Sequence, residues 1–145
     1  MFKKPTWLRA VRDGVVDYTV LNKLLLPNMT HWFSYTHSSE MTLCAEIRHK
    51  DSITQHTGVI QGGVLTLGCE TLACMAASLC VPKDRVVVAT SINTHYMRPC
   101  AGTVELITNC LHSGATSQTW CVHIRDKSGK TCVSSTVDCA VIRRR

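Results

Sequence analysis

One long stretch of the sequence carries almost no charge. Between residues 52 and 82 the only formally charged side chain is Glu70. The residues from 64 to 79 are apolar or small at every helical position, so a helix there has no polar face and is predicted to be buried. An ionised carboxylate inside such a helix is costly unless it is paired or used. The stretch therefore predicts a central helix in which Glu70 is either catalytic or structural and satisfied by a neighbour.

Two glycines, Gly62 and Gly63, lie at the start of this stretch. The first N–H groups of a helix have no partner inside it, and the positive end of the helix dipole favours negative charge. Glycine also lets a substrate come close to the backbone. A helix that begins here is therefore suited to polarise a carbonyl oxygen. The alternative is a tight turn that needs glycine conformations, and the two can hold together.

Two sequence patterns resemble one enzyme family. The first is Gln55-x-x-Gly58-x-x-Gln61-Gly62-Gly63, followed by six residues and Glu70; it is similar to the hotdog-fold acyl-CoA thioesterases. Within that family it resembles the branch of the 4-hydroxybenzoyl-CoA and 1,4-dihydroxy-2-naphthoyl-CoA thioesterases. The second pattern is similar to the last two strands of that branch, and its residues are Leu111, His112, Gly114, Gln118, Trp120, Ile124, Asp126, Gly129, Cys132, Ser134 and Ser135. Together the two patterns extend the resemblance over residues 42–142.

The resemblance implies an α+β hotdog fold, in which an antiparallel sheet curls around one long helix. It implies a thioester hydrolase that releases coenzyme A from an acyl- or aryl-CoA, with Glu70 as nucleophile or general base. The Gly62 amide would polarise the carbonyl, with Gln61 beside it, and Gln55 would orient the substrate or water. The substrate-binding residues implied in addition are Gly63, Cys74, Ala89, Tyr96, Met97, Arg98, Pro99, His112, Ser113, Gly114, Ala115, Thr116 and Ser117. We expect no metal and no cofactor, since coenzyme A is part of the substrate.

The sequence departs from the family pattern at three places. Gln61 stands where the branch has histidine, and glutamine can donate a hydrogen bond but cannot carry a proton. Cys74 stands where the branch has Ser or Thr, and residues 115–117 lack an arginine that the relatives carry. These departures leave open a non-catalytic acyl-CoA-binding protein. A hotdog dehydratase or hydratase is the other alternative, and it would need a histidine near the start of the helix.

The spacing between Gly62 and Glu70 predicts self-association. The two residues are about 12 Å apart along a helix that rises 1.5 Å per residue. One chain therefore cannot bring both to the same carbonyl, whereas two antiparallel helices across a dimer axis can, and the resemblance implies that arrangement. We expect an obligate homodimer with two composite sites, assembled further into a homotetramer.

Periodicity predicts the remaining elements. A helix is predicted over residues 5–26, a loop over 27–39 and a strand over 41–48. Four strands are predicted after the central helix, in meander-like order, over residues 86–98, 103–111, 117–126 and 131–142. We expect residues 1–40 to form an N-terminal helix and loop that pack on a thioesterase domain at 41–145.

Composition restricts the compartment and the partners. The nine cysteines are odd in number and form no CxxC pair, so we expect core thiols in a reducing compartment, the cytoplasm or an organellar matrix. The net charge is +6, but the basic residues are not interleaved with aromatic residues, which argues against a nucleic-acid partner. Polar residues interrupt every long uncharged run, which argues against a membrane span. A basic rim would instead attract the phosphates of coenzyme A, with Arg98 as the best contact and Lys83, Arg85 and the terminal arginines as further sources of charge.

Overall fold

The chain folds into one six-stranded antiparallel sheet with a long helix packed against it. The computed structural model describes residues 10–12, 15–39 and 41–145. The strands are β1 (Val11–Arg12), β2 (Val15–Val16), β3 (Phe33–Ser39), β4 (Thr42–Ile47), β5 (Arg85–Tyr96), β6 (Val104–Ser113), β7 (Ser117–Arg125) and β8 (Thr131–Arg143). The helices are α1 (Tyr18–Asn22) and α2 (Gly62–Leu79), and Asp51–Ile53 forms a 3₁₀ turn. The predicted α+β class is confirmed.

The order of strands in the sheet is β3-β4-β6-β7-β8-β5. Strands β6, β7 and β8 form the predicted meander, but β5 crosses to the far edge and pairs with β8, from Arg85 opposite Arg143 to Tyr96 opposite Val133. The meander prediction is therefore wrong for β5. The reason is that the chain after β5 makes no hairpin; the N–H groups of Met97 and Arg98 instead donate to the carbonyl of Cys132, at 2.8 and 3.1 Å.

Helix α2 packs one face on the sheet and leaves the other partly open. Its buried residues are Leu65, Gly68, Cys69, Leu72, Ala73, Ala76 and Ala77. A Cβ atom at Gly68 would lie 2.8 Å from Cδ1 of Ile47 and 3.3 Å from Cδ2 of Leu106, so the helix backbone rests directly on β4 and β6. Glu70 and Cys74 lie on the partly exposed side. The predicted helix is confirmed, but its own chain buries it on one side only.

By length and composition alone, α2 could also cross a membrane, because it has 18 residues with a mean hydropathy of 1.4. The polar residues that interrupt the uncharged runs thus do not prevent a helix of this length. A core helix passes the same test, and the packing of α2 on five strands of the sheet is that of a core helix.

The segment before the sheet differs from its prediction. The described part of residues 5–26 contains the short β1–β2 pair and the five-residue α1, not one long helix; residues 1–9 and 13–14 lie outside the described residues. A new helix begins at α1 because the Asp17 carboxylate accepts the N–H groups of Thr19 and Val20, at 3.0 and 3.3 Å. The predicted loop over 27–39 is wrong for β3, whose Phe33 and Tyr35 alternate into the core.

The two edge strands of the sheet, β3 and β5, differ in whether their free side is covered. At the β3 edge, the Asn22 side chain accepts the N–H of Tyr35 at 2.8 Å and donates to its carbonyl at 3.3 Å. Tyr18 also bonds to Ser38 there. At the β5 edge, no described strand pairs with the side away from β8. The structure therefore protects β3 and leaves β5 open for pairing.

Candidate active site

A tight loop delivers the chain to the start of α2. Thr54 and Ile60 form an isolated bridge, and between them Gln55 bonds to Val59 while Gly58 turns the chain at a φ of 82°. This φ is one that glycine adopts without strain. Backbone bonds of 2.8 Å from Ile60 to Cys100 and 2.9 Å from Gln61 to Ile53 fix the end of the loop. The position of the helix start is therefore determined on both sides.

The first N–H groups of α2 are unpaired. The carbonyl of Gln61 accepts the N–H groups of Val64 and Leu65, at 3.0 and 3.3 Å. The N–H groups of Gly62 and Gly63 meet no acceptor among the described residues. The exposed Gln61 side chain makes no capping bond, and its Oε1 lies 3.3 Å from where a Cβ of Gly63 would stand. Two backbone donors and one side-chain amide are thus available to an incoming oxygen.

Tyr96, at the end of β5, holds the first turn of α2. Its hydroxyl donates to the carbonyl of Gly62 at 2.9 Å. Because a phenol has one hydrogen, the contact of 2.5 Å with Thr66 has Thr66 as the donor. A Cβ atom at Gly62 would lie 3.1 Å from the Tyr96 ring, so a larger residue there would push the ring aside by a few tenths of an ångström.

Most of the residues predicted around the helix start share one groove with a volume of about 420 Å³. The groove is lined by Gln55, Val59, Ile60, Gly62, Leu65, Tyr96, Met97, Arg98, Pro99 and Cys100. Arg98 is exposed, and no carboxylate of a described residue lies within ion-pair distance of it. We call this groove, together with Gln61 and Gly63, the helix-start half-site. It offers hydrogen-bond donors and one free positive charge.

Glu70 lies elsewhere, two turns further along α2. It is partly exposed and makes no hydrogen bond or ion pair with another described residue. A hydrogen bond in which the Cys74 thiol donates to Cys139, together with burial, raises the pKa of Cys74, and the Glu70 carboxylate adds to this effect. The same bond lowers the pKa of Cys139. Cys139 pairs with Ala89, so Glu70 stands above the β5–β8 side of the sheet.

The turn at residues 112–117 lies near the same part of the sheet as Ala89 and Cys139. Ser117 pairs with Ala140, which pairs with Val88 on β5. Ala89 and Tyr96 are separated by about 23 Å along the strand, at roughly 3.3 Å per residue. The turn is closed by a bond of 2.8 Å from the N–H of Gly114 to the carbonyl of Ser117. We call Glu70, Cys74, Ala89 and residues 112–117 the carboxylate half-site.

One chain therefore brings the predicted residues together as two separate half-sites rather than one site. Sequence reasoning missed Thr66 and Tyr35. Thr66 lies one turn before Glu70 on the same helix face, which is a signal that could have found it. Tyr35 lies in the segment predicted as loop, so its burial could not be anticipated.

Comparison with known proteins agrees with the fold and with the predicted class of enzyme. The family model of the thioesterase superfamily matches residues 57–133. The chain is 34% identical over 89 residues to a Haemophilus influenzae protein named as an esterase, a stretch that makes up 61% of this chain and 64% of that protein. It is 28% identical over 109 residues to the 1,4-dihydroxy-2-naphthoyl-CoA hydrolase of Escherichia coli, covering 74% of this chain and 80% of that enzyme. A solved thioesterase structure from Haemophilus influenzae superposes with a TM-score of 0.83 at 28% identity, covering 87% of this chain and 90% of that one.

The fold and these comparisons identify a thioester hydrolase with the hotdog fold, so the predicted fold and enzyme class are confirmed. The chain belongs to the thioesterase superfamily.

The Tyr96 hydroxyl bonds to both Gly62 and Thr66, and we call this pair of hydrogen bonds the clamp. A double-mutant cycle tests it. Tyr96→Phe removes two hydrogen bonds and Thr66→Val removes one of the same two, so we expect them to lower the free energy of unfolding by about 1–3 and about 0.5–1.5 kcal/mol, respectively. The double variant should lose less than the sum, by about 0.5 kcal/mol or more, because the two residues share one bond. Urea unfolding measures this. Thr119→Val, whose hydroxyl bonds to Asp138, is the control and should be additive with Tyr96→Phe; additivity of Thr66→Val as well would contradict the clamp.

Proposed function

We propose that this protein hydrolyses acyl-CoA thioesters as a dimer in which each site combines the helix-start half-site of one protomer with the carboxylate half-site of the other. The observation that carries the proposal is the separation of the two half-sites. Gly62 and Glu70 stand on one rigid helix about 12 Å apart, too far to act on one carbonyl. Both nevertheless lie along β5, Gly62 at its Tyr96 end and Glu70 further along the strand toward Ala89.

The open edge of β5 supports the dimer. Twelve residues of backbone lack a described partner on one side, and Val88 exposes 45% of its surface there. Antiparallel pairing with β5 of a second copy would bring the Tyr96 end of one strand next to the Arg85 end of the other. It would also bring the partly open faces of the two α2 helices together. Each helix-start half-site would then face the partner's carboxylate half-site.

The chemistry follows from the groups in such a combined site. The thioester carbonyl oxygen would accept the N–H of Gly62, with Gln61 as a further donor, which stabilises the developing oxyanion. Glu70 would either remove a proton from an attacking water or attack the carbonyl carbon itself. In both routes the carbon–sulfur bond breaks, the sulfur leaves as the coenzyme A thiolate, and one water is consumed in forming the acid. A Glu70 side chain without an ion pair is free for either role.

Two groups of positive charge suit the phosphates of coenzyme A. One is Arg98 in the helix-start half-site. The other lies at the opposite end of β5, where Arg85 stands opposite Arg143 in the strand register and Lys83 is exposed. The N–H of Arg144 donates to the Asp84 carbonyl there at 2.8 Å. The second group is at the end of the sheet that carries residues 112–117, so it can supply the charge that this turn lacks. In the proposed dimer the two groups approach each other across the subunits.

The acyl group has an apolar groove beside the carboxylate. This groove has a volume of about 230 Å³ and is lined by Leu24, Leu25, Leu26, Met29, Tyr35, Thr71, Cys74, Met75 and Ser78. Thr71 and Cys74 flank Glu70 on α2. Tyr35 is 3% exposed, and its hydroxyl bonds to no described residue. We propose that the acyl chain lies here, between α2 and the segment after α1.

A non-catalytic acyl-CoA-binding protein is the second candidate, because Gln61 cannot carry a proton. A dehydratase or hydratase has less support, since no histidine lines the helix-start groove. The nine cysteines form no disulfide, which suits the proposed cytoplasmic or organellar location.

Glu70→Gln tests the catalytic role. The change keeps the size of the side chain and removes its charge, so we expect kcat/KM to fall about 100-fold or more, as for a positioned acid or base. Thiol release from a panel of aryl, short, medium and long acyl-CoA substrates measures it at matched folded concentration. Glu46→Gln, on the outer face of the sheet, is the control and should retain activity. A wild type that binds acyl-CoA without releasing thiol would favour the binding protein.

Met75→Trp tests the acyl groove. A larger side chain there should exclude longer acyl groups, so we expect kcat/KM for octanoyl-CoA to fall about tenfold or more, in the range of pocket contacts with methylene groups. Hydrolysis of acetyl-CoA should stay close to the wild-type rate and serves as the internal control. An equal loss on both substrates would show that the groove does not hold the chain.

A further inference from the structure

A second cluster of reactive side chains lies on the outer face of the sheet, away from α2. His37, Cys44 and Glu105 come from the three adjacent strands β3, β4 and β6. Their donor atoms all lie within 4.8 Å of one another, and within the described residues they are the one such group of three or more His, Cys, Asp or Glu side chains. The cluster is separate from both half-sites, because Ile47 and its alternate neighbours on β4 face α2 while Cys44 faces the other way.

A β-bulge brings His37 to this position. Tyr35 pairs with Ala45 and Ser38 pairs with Leu43, so two residues of β3, Thr36 and His37, stand opposite the single residue Cys44. A bulge of this kind re-aims a side chain. The Thr36 hydroxyl then holds the imidazole, with 3.1 Å between its Oγ1 and Nδ1 of His37. Outer contacts of this kind orient imidazoles that bind metals.

Register places Glu105 diagonally across from Cys44. Cys44 pairs with Ile107 and Glu46 pairs with Glu105, so Glu105 is the diagonal neighbour of Cys44, within reach of a long side chain. Glu46 is paired with Arg48 at 3.0 Å, whereas Glu105 makes no ion pair with a described residue. Burial, and then the Glu105 carboxylate, raise the pKa of the Cys44 thiol. Arg125 stands opposite Glu105 on β7 but forms no ion pair with it, so the Glu105 carboxylate is free to bind a cation beside the buried Cys44 sulfur.

We propose that His37, Cys44 and Glu105 bind one zinc ion, with water in the fourth position. Nitrogen, sulfur and carboxylate oxygen together suit zinc, which is borderline soft and takes all three in tetrahedral sites. Hard cations such as magnesium prefer oxygen ligands alone. On binding, the Cys44 thiol releases its proton to solvent and coordinates as the thiolate. Because the ligands belong to three strands, the ion fastens the edge strand β3 to β4 and β6.

The test is a zinc titration of the full-length, reduced and metal-stripped protein. Isothermal titration calorimetry should give one tight site per chain, and bound zinc should raise the thermal unfolding temperature. Cys44→Ser and Glu105→Gln should each weaken binding by at least about tenfold, since even outer-shell changes at metal sites have effects of that size. Cys80→Ser is the matched control, because Cys80 is an exposed thiol at the end of α2 that does not belong to the cluster, and it should bind zinc like the wild type.

Cobalt provides an independent readout of the sulfur ligand. The cobalt-loaded wild type and Cys80→Ser should show a thiolate-to-metal charge-transfer band, and Cys44→Ser should lack it. Glu105→Gln changes an exposed side chain, so it tests the site even if the buried Cys44→Ser fails to fold. The proposal is overturned if the wild type binds no zinc, or if both variants bind it as tightly as the wild type, which would assign the ion to other cysteines.

Discussion

A rigid helix holds Gly62 and Glu70 about 12 Å apart, at 1.5 Å per residue, and this fixed separation governs how the rest of the molecule is arranged. The sheet supports the helix on one face, through the contact of Gly68 with Ile47 and Leu106. The other face, with Glu70, stays partly open beside the unpaired edge of β5. A single chain thus has oxyanion donors at the Tyr96 end of β5 and a carboxylate further along the same strand. The open edge is the surface through which a second copy would unite them.

The local features of the sequence were enough for the central helix and most of the sheet. The apolar run around Glu70 predicted α2, and periodicity predicted β4, β6, β7 and β8. The break between the predicted strands at 117–126 and 131–142 coincides with a tight turn, in which the Asp126 carboxylate accepts the N–H groups of Ser128 and Lys130 at 2.8 and 3.0 Å. The failures are at β3, at the edge position of β5 and in the N-terminal helix. Each depends on long-range pairing or on a cap, and periodicity contains neither.

The residues of the candidate site likewise divide into those that the sequence predicted and those that it could not. The residues that gather at the helix start follow the sequence pattern because they are close in sequence or meet at the end of β5. Residues that act through distant pairing were missed: Thr66 bonds to Tyr96 from thirty positions away, and Tyr35 reaches α2 from a strand that was predicted as loop. His37, Cys44 and Glu105 are likewise too far apart in sequence to form a recognisable metal motif. Only the bulge in β3 and the register of β4 with β6 bring them together.

The central claim is that each site takes Gly62 from one protomer and Glu70 from the other, and subunit mixing tests it directly. Chains with Glu70→Gln and chains with Gly62→Val are coexpressed with different tags, and mixed dimers are purified through both tags. Each parent dimer should be inactive, with its fold checked by circular dichroism. The mixed dimer should recover about half of the wild-type turnover per dimer, because one of its two composite sites is intact. A mixed dimer as inactive as its parents would contradict the account and assign both residues to a site within one chain.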